Sequence, residues 1–215
     1  MRLKPDARDA AIPGDRRVRR HEETRETIVA LAIEIMGTDG VAGLSLGELA
    51  RRLGVRTPSL YTYFASKNAL YDELFRRGWS DAHADFAATL GTLGEVSPDS
   101  DVVVRGSVLS EAFVRWAMAH PELAELMIFR PVPRYVPSAE AFAPSREYFG
   151  QVIGEVDAWA RLGLLAPDVD AGEVVESFLS VVTGVVARQL ANEPGVPFES
   201  GRASRHLGAL ISRLA

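Results

Sequence analysis

Ser45 to Leu70, SLGELARRLGVRTPSLYTYFASKNAL, decides the reading of this chain. Ser45, with Glu48 three residues on, makes a capping-box pattern in which each side chain can satisfy an orphan N–H of a helix start. Leu46, Leu49, Ala50 and Leu53 then follow helical spacing, and Gly54 stands where a left-handed residue can end the helix. Only Val55 and Arg56 remain before Thr57, a residue type suited to an N-cap. Pro58 follows it and fits a first helical turn, having no N–H to satisfy. The next helix would bury Leu60 and Phe64 and turn Ser59, Tyr61, Thr62 and Tyr63 largely outward. Two short helices at this separation predict a helix-turn-helix, whose second helix can enter the major groove of DNA.

The run GVRTPSLYTYFASKNALYDELF (residues 54–75) resembles the DNA-binding signature of the TetR (tetracycline-repressor) family. The likeness extends upstream to an amphipathic first helix carrying Ile28, Leu31, Ala32, Ile35 and Met36, closed by Thr38-Asp39-Gly40. It covers about a quarter of the chain. Tyr63 stands where many members carry histidine, which keeps an aromatic polar group there.

The resemblance implies an all-α protein with a three-helix DNA-binding head and a helical body for effector binding and dimerisation. Carried over residue by residue, it places DNA contacts on Ser45, Arg56, Thr57, Pro58, Ser59, Tyr61, Thr62, Tyr63 and Lys67. Tyr61 would hold a phosphate through its hydroxyl. Lys67 opens the following helix, where its charge and the helix N-terminus both favour a phosphate. Arg51, Arg52 and Arg56 fit peripheral phosphate contacts and equally a solvated face. Gly47 departs from members that read a base with a long side chain at that position. The recognition helix offers no Arg or Asn for a bidentate base contact. Hydroxyl contacts, thymine-methyl packing and DNA shape must then share the reading.

Charge is divided along the chain. The net value is −5, yet residues 1–78 carry 14 Lys and Arg against 11 Asp and Glu, and residues 79–215 carry 10 against 18. A basic head on an acidic body suits phosphate binding, which depends on local charge. Residues 1–20 hold seven basic and three acidic residues with Pro5, Pro13 and Gly14, which predicts a flexible basic arm. Such an arm is either a solvated tail or one that follows phosphates or a minor groove. Cysteine is absent, which excludes disulfides and thiolate metal sites. No uninterrupted apolar run reaches membrane-spanning length, and the charged N-terminus has no apolar signal segment, so a cytoplasmic protein is expected.

Three segments are therefore expected: the arm at 1–20, the helix-turn-helix at 21–66 and the body at 67–215. Four prolines between Pro131 and Pro144 forbid a regular helix and predict a long irregular connection. Two final helices are read over about 171–191 and 200–214. On the first, Val174, Val175, Phe178, Leu179, Val181, Val182, Val185 and Val186 cover an arc of roughly 160°, wider than one core requires. Val174, Phe178, Val181 and Val185, with Leu207, Leu210, Ile211 and Leu214, are accordingly read as a dimer interface, as the resemblance implies; the alternative is a wide helix buried wholly within the monomer.

The four histidines, His21, His83, His120 and His206, are too scattered for an i,i+4 metal pair. No HExxH, P-loop, dinucleotide fingerprint or nucleophile elbow occurs, so neither an enzyme nor a bound metal or cofactor is expected. By resemblance, some of Phe113, Trp116, Phe129, Phe149 and Trp159 should line a pocket for a small hydrophobic effector. The expected function is a homodimeric regulator, a repressor released from a palindromic operator by that effector. A dimeric scaffold or ligand sensor without operator binding is the alternative.

Overall fold

A computed structural model describes residues 13–213, which are helical with no strand. Helices α1 (Pro13–Asp39), α2 (Leu46–Leu53), α3 (Thr57–Leu60) and α4 (Lys67–Leu93) are followed by α5 (Val102–Ala119) and α6 (Pro121–Phe129). Next come α7 (Ala143–Arg161), α8 (Ala171–Asn192) and α9 (Leu207–Ile211). The chain divides into residues 1–70 and 71–215, close to the boundary expected at 66 and inside α4.

In the first unit, Ile28, Val29, Ala32, Ile35 and Met36 of α1 are buried, as are Val41, Leu44, Leu49, Ala50, Leu60 and Phe64. The expected flexible arm is corrected over 13–20, which continue α1 as helix. Pro13 pre-sets the dihedral of a first turn, and an i,i+4 pair links Arg19 to Glu23 at 3.7 Å. Residues 1–12 lie outside the described residues. Gly54 closes α2 in the left-handed region at φ 69°, a conformation that costs a side chain least when there is none. Half of the expected capping box forms: Ser45 accepts the Glu48 N–H at 3.5 Å, but the Glu48 carboxylate turns to Arg51 and Arg52. Thr57 is the first residue of α3, and Arg56 holds the N-cap position. Ser66 caps α4 by accepting the Ala69 N–H at 3.0 Å.

In the second unit α5 packs on α6, α8 and α9, and α7 on α8. Asp101 caps α5 through the Val104 N–H at 3.0 Å, and Asp170 caps α8 through the Glu173 N–H at 3.1 Å. The proline-studded connection is irregular as expected. It is tied to α4 at Asp72, which accepts the Tyr135 hydroxyl at 2.9 Å and the Ser138 N–H at 3.2 Å. One nearly buried ion pair crosses this unit. Arg105 donates to Glu155 at 2.7 Å and to the carbonyls of Leu93 and Gly94 at 3.1 and 3.0 Å, while Glu155 also accepts the Trp159 indole N–H.

The helix expected over 200–214 is broken into two 3₁₀ turns and the short α9. Gln189 is the cause. Fully buried on α8, it donates to the Val196 carbonyl at 3.2 Å and accepts the Ser204 N–H at 3.1 Å, so an N–H that a continuous helix would pair internally is bonded to it instead. Gly201 passes so close that a Cβ there would lie 1.8 Å from Gln189 Nε2. The wide apolar arc of α8 is mostly spent inside the chain: Val174, Val175, Phe178, Val182, Val185 and Val186 are all buried. By length and composition α8 could cross a membrane, at a mean hydropathy of 1.4, yet here it is packed among α5, α7 and α9.

Gly201→Ala should therefore force Gln189 from its bonds and destabilise the protein by about 1–3 kcal/mol, seen as a lower denaturant midpoint at unchanged slope. A second expectation concerns Glu73, 8% exposed on α4. Burial raises its pKa, but hydrogen bonds from Arg76 and Arg77 outweigh this and hold the carboxyl at about 2. A depressed folded pKa stabilises above the ordinary carboxylate pKa and loses that contribution as pH falls toward 2. The stability gap between wild type and Glu73→Gln should thus be full at neutral pH and shrink between about pH 4.5 and 2.

Candidate nucleic-acid interface and ligand cleft

Leu60 and Phe64 anchor the recognition segment at 2% and 5% exposure, which leaves the intervening side chains outside. Arg56, Pro58, Ser59, Tyr61 and Thr62 are exposed, with Tyr61 at 52%; Thr57, Tyr63 and Lys67 are half-buried. The structure thus brings these residues onto one segment, and Ser45 is exposed at the start of α2. Regular helix lasts only from Thr57 to Leu60, after which turn bonds carry the chain to Phe64. Thr62 donates its hydroxyl to the Ser59 carbonyl at 2.7 Å, so toward DNA it offers an acceptor and a methyl group.

Two residues missed at sequence level hold this segment from α1. The His21 ring stacks on Tyr63 at 4.7 Å and 20°. Arg25 donates to the Tyr63 carbonyl at 3.2 Å and lies 4.4 Å over the Phe64 ring. Their i,i+4 spacing puts them on one helix face, but nothing local in the sequence shows that this face meets Tyr63. Arg51 and Arg52 are engaged by Glu48 at 2.7 and 2.8 Å, and these bonds, from Arg51 and then Arg52, hold the Glu48 carboxyl at about 2.

In the second unit a cleft of about 330 Å³ is walled by Phe75 and Trp79 of α4, Phe113 of α5, Met127 of α6, Phe142, and Tyr148 and Phe149 of α7. Arg130, held at φ 46°, stands at its edge. A smaller cavity of about 50 Å³ shares Phe113 and Tyr148 and reaches Trp159 and Phe178. Gly106 faces that cavity because a Cβ would come within 2.6 Å of Phe178. Of the expected pocket residues, Phe113 and Phe149 line the larger cleft and Trp159 the smaller. Trp116 and Phe129 line neither: Trp116 is buried beside Phe113 and His120, and Phe129 is 42% exposed at the end of α6. Phe75 and Trp79 were missed, and Phe142 and Tyr148 read as core by default, because ring spacing alone does not separate a cleft wall from core. Among the described residues no group of three or more His, Asp or Glu converges as a metal site.

The expected dimer residues separate. Val174, Phe178, Val185, Leu207 and Ile211 belong to the chain's own core, at 8% exposure or less, because α5, α7 and α9 close over them. Val181 is half-buried and Leu210 is 36% exposed, and both line a surface groove with Ser180, Gly184, Arg188 and His206. Leu214 lies outside the described residues.

Comparison with known proteins agrees with this geometry. Residues 28–74 match the bacterial regulatory proteins of the tetR family, and residues 108–209 match the tetracyclin repressor-like C-terminal domain. The chain belongs to the TetR family. It is similar to the tetracycline repressor protein class C of Escherichia coli, 44% identical over 50 residues, or 23% of each chain. An HTH-type transcriptional regulator of Mycobacterium tuberculosis is 32% identical over 126 residues, covering 55% of this chain and 51% of the relative. The chain thus spans about a quarter to a half of the length of these curated relatives. In fold it resembles the TetR family transcriptional regulator PfmR from Thermus thermophilus, with TM-score 0.65, 17% identity and coverage of 87% and 96%. FadR from Bacillus subtilis, solved in complex with stearoyl-CoA, gives TM-score 0.67 at 12% identity over 88% and 96%.

Glu48→Gln should release Arg51 and Arg52 for phosphates. Duplex binding by fluorescence anisotropy would then steepen with salt by about 0.9 in log–log slope per guanidinium that engages a phosphate. An unchanged slope would place the pair away from the DNA backbone.

Proposed function

We propose that the chain is a DNA-binding transcriptional regulator rather than an enzyme. It acts in the cytoplasm as a homodimeric repressor and leaves a two-fold operator when a small apolar or amphipathic effector enters the cleft. The observation that carries this is the exposed row Ser59, Tyr61 and Thr62, presented on a segment anchored by buried Leu60 and Phe64 within a TetR-family head. Ser45, Arg56, Thr57, Pro58, Tyr63 and Lys67 complete the proposed contact set.

The aromatic wall supports an apolar effector, since ligand sites are mostly apolar with a few polar groups that orient the ligand. FadR holds stearoyl-CoA on this fold. At about 330 Å³ the cleft here lies at the lower end of ligand sites, roughly 300–1,000 Å³, which favours a more compact molecule. Two-fold pairing would use the groove at Val181, Gly184 and Leu210, which the chain's own core leaves open. Effector binding would reach the head through α4, one unbroken helix from Lys67 to Leu93.

Val181→Glu tests the pairing. Val181 is half-exposed, so the carboxylate should leave the monomer folded by circular dichroism. In a desolvated interface the same charge has no partner, and the variant should sediment as a monomer with operator affinity collapsed. Footprints of the wild type should show half-site centres about one turn, roughly 34–36 Å, apart. A folded Val181→Glu dimer with full affinity would move the interface elsewhere, and a footprint of one asymmetric half-site would remove the dimeric operator.

A further inference from the structure

The N-terminal turns of α1 segregate charge around the helix, and the cationic side is the one that meets the recognition segment. With Arg16 set at 0° on a wheel of about 100° per residue, Arg20, Thr24, Arg17, His21 and Arg25 fall between about 40° and 180°. Glu22, Glu26 and Glu23 fall between about 240° and 340°, with Arg19 among them. Arg19 is drawn to that acidic side, pairing with Glu23 at 3.7 Å. Arg16, Arg17 and Arg20 are exposed and have no ion-pair partner among the described residues. The orientation of this face is fixed by contact: His21 stacks on Tyr63 at 4.7 Å, and Arg25 bonds the Tyr63 carbonyl and covers the Phe64 ring.

We propose that this cationic face of α1 is a second DNA-binding surface, continuous with the recognition segment, that grips the duplex phosphate backbone flanking the major groove. His21 is its positioning residue, holding the Tyr63 ring in place for the groove. The inference rests on the DNA-binding reading above and extends it beyond the helix-turn-helix. The occupant is set by charge and continuity. From Arg16 to Arg25 the face runs about 13 Å along the helix axis at roughly 1.5 Å per residue. That spans several base-pair steps of a strand that carries a phosphate about every 3.4 Å. Arg16, Arg17 and Arg20 supply positioning without sequence information, since phosphate contacts fix register and orientation but read no base. His21 differs from them, because it touches a side chain of the reading segment itself. A helix held in this way also has the backbone that carries these arginines already ordered, where a loose arm would lose backbone entropy on binding.

The test uses a duplex that the wild-type full chain selects from a random-sequence pool. The Arg16→Gln, Arg17→Gln, Arg20→Gln variant should keep the same base preference but bind more weakly. Its log–log salt slope should be shallower by up to about 2.7 per protomer, at about 0.9 for each phosphate that is no longer neutralised. His21→Ala should weaken binding and blur preference at the base pair beside Tyr63, whereas His21→Phe, which keeps the stack, should restore preference. A merely structural role for His21 would lower thermal stability without altering preference. Hydroxyl-radical footprinting of the wild type needs no folded variant and should show sugar–phosphate protection outside each half-site. An unchanged salt slope, or no flanking protection, overturns the proposal while selection itself leaves the DNA-binding reading standing. If the wild type selects no sequence, both fall together.

Discussion

Trp79 of α4 lies 5% exposed among four other rings: Phe75 at 6.4 Å, Phe113 at 6.1 Å, Tyr148 at 5.3 Å and Phe149 at 5.1 Å. These contacts join α4 to α5 and α7. They are held although the indole N–H is buried without a partner, a defect worth about 1–3 kcal/mol. Ring pairs contribute roughly 0.5–1.5 kcal/mol each beyond the area they bury, so four of them outweigh it. The cleft is a consequence of the same packing. Aromatic rings are stiff and few-jointed, and the walls they form cannot collapse into the space they enclose.

Legibility in the sequence follows the range of the interactions. Ser45, Gly54 and Ser66 act within three or four residues of themselves, and each ends or starts a helix where its residue type predicts. The helix-turn-helix is therefore readable, as is the irregular segment after Pro131. The Glu48 box fails in its second half because two arginines one turn on compete for the carboxylate more strongly than a backbone N–H does. Gln189 shows the opposite limit. Nothing local marks it, yet from α8 it fixes a stretch seven to fifteen residues away and breaks a helix that periodicity alone predicts. The α8 arc is too wide for one flat contact, as its periodicity indicates, but most of its excess is absorbed by three helices of the same chain, and Val181 is left at a surface groove. Width of an apolar arc counts neighbours and does not say which chain they belong to.

The α4 segment within the body is held toward both ends by charge-assisted hydrogen bonds. At its C-terminal end Arg105 meets the carbonyls of Leu93 and Gly94 and the carboxylate of Glu155 with side chains only 7% and 10% exposed. The carboxylate keeps the guanidinium paired, and the two bonds that Arg105 makes to the end of α4 are charge-assisted, contributing roughly 1.5–3 kcal/mol each. Toward its other end, α4 is tied by Asp72 to Tyr135 and Ser138. Burial and the nearby Asp72 push the Tyr135 pKa up, so the phenol stays a proton donor. Hydrogen bonds to a charged acceptor contribute roughly 1.5–3 kcal/mol each and are broken more cheaply where water can replace them, as it can at exposed Ser138. Phe75 and Trp79, the α4 residues of the cleft wall, lie between these ties. Each end is therefore fixed by two charge-assisted bonds of comparable strength, and the cleft wall on α4 is held from both sides.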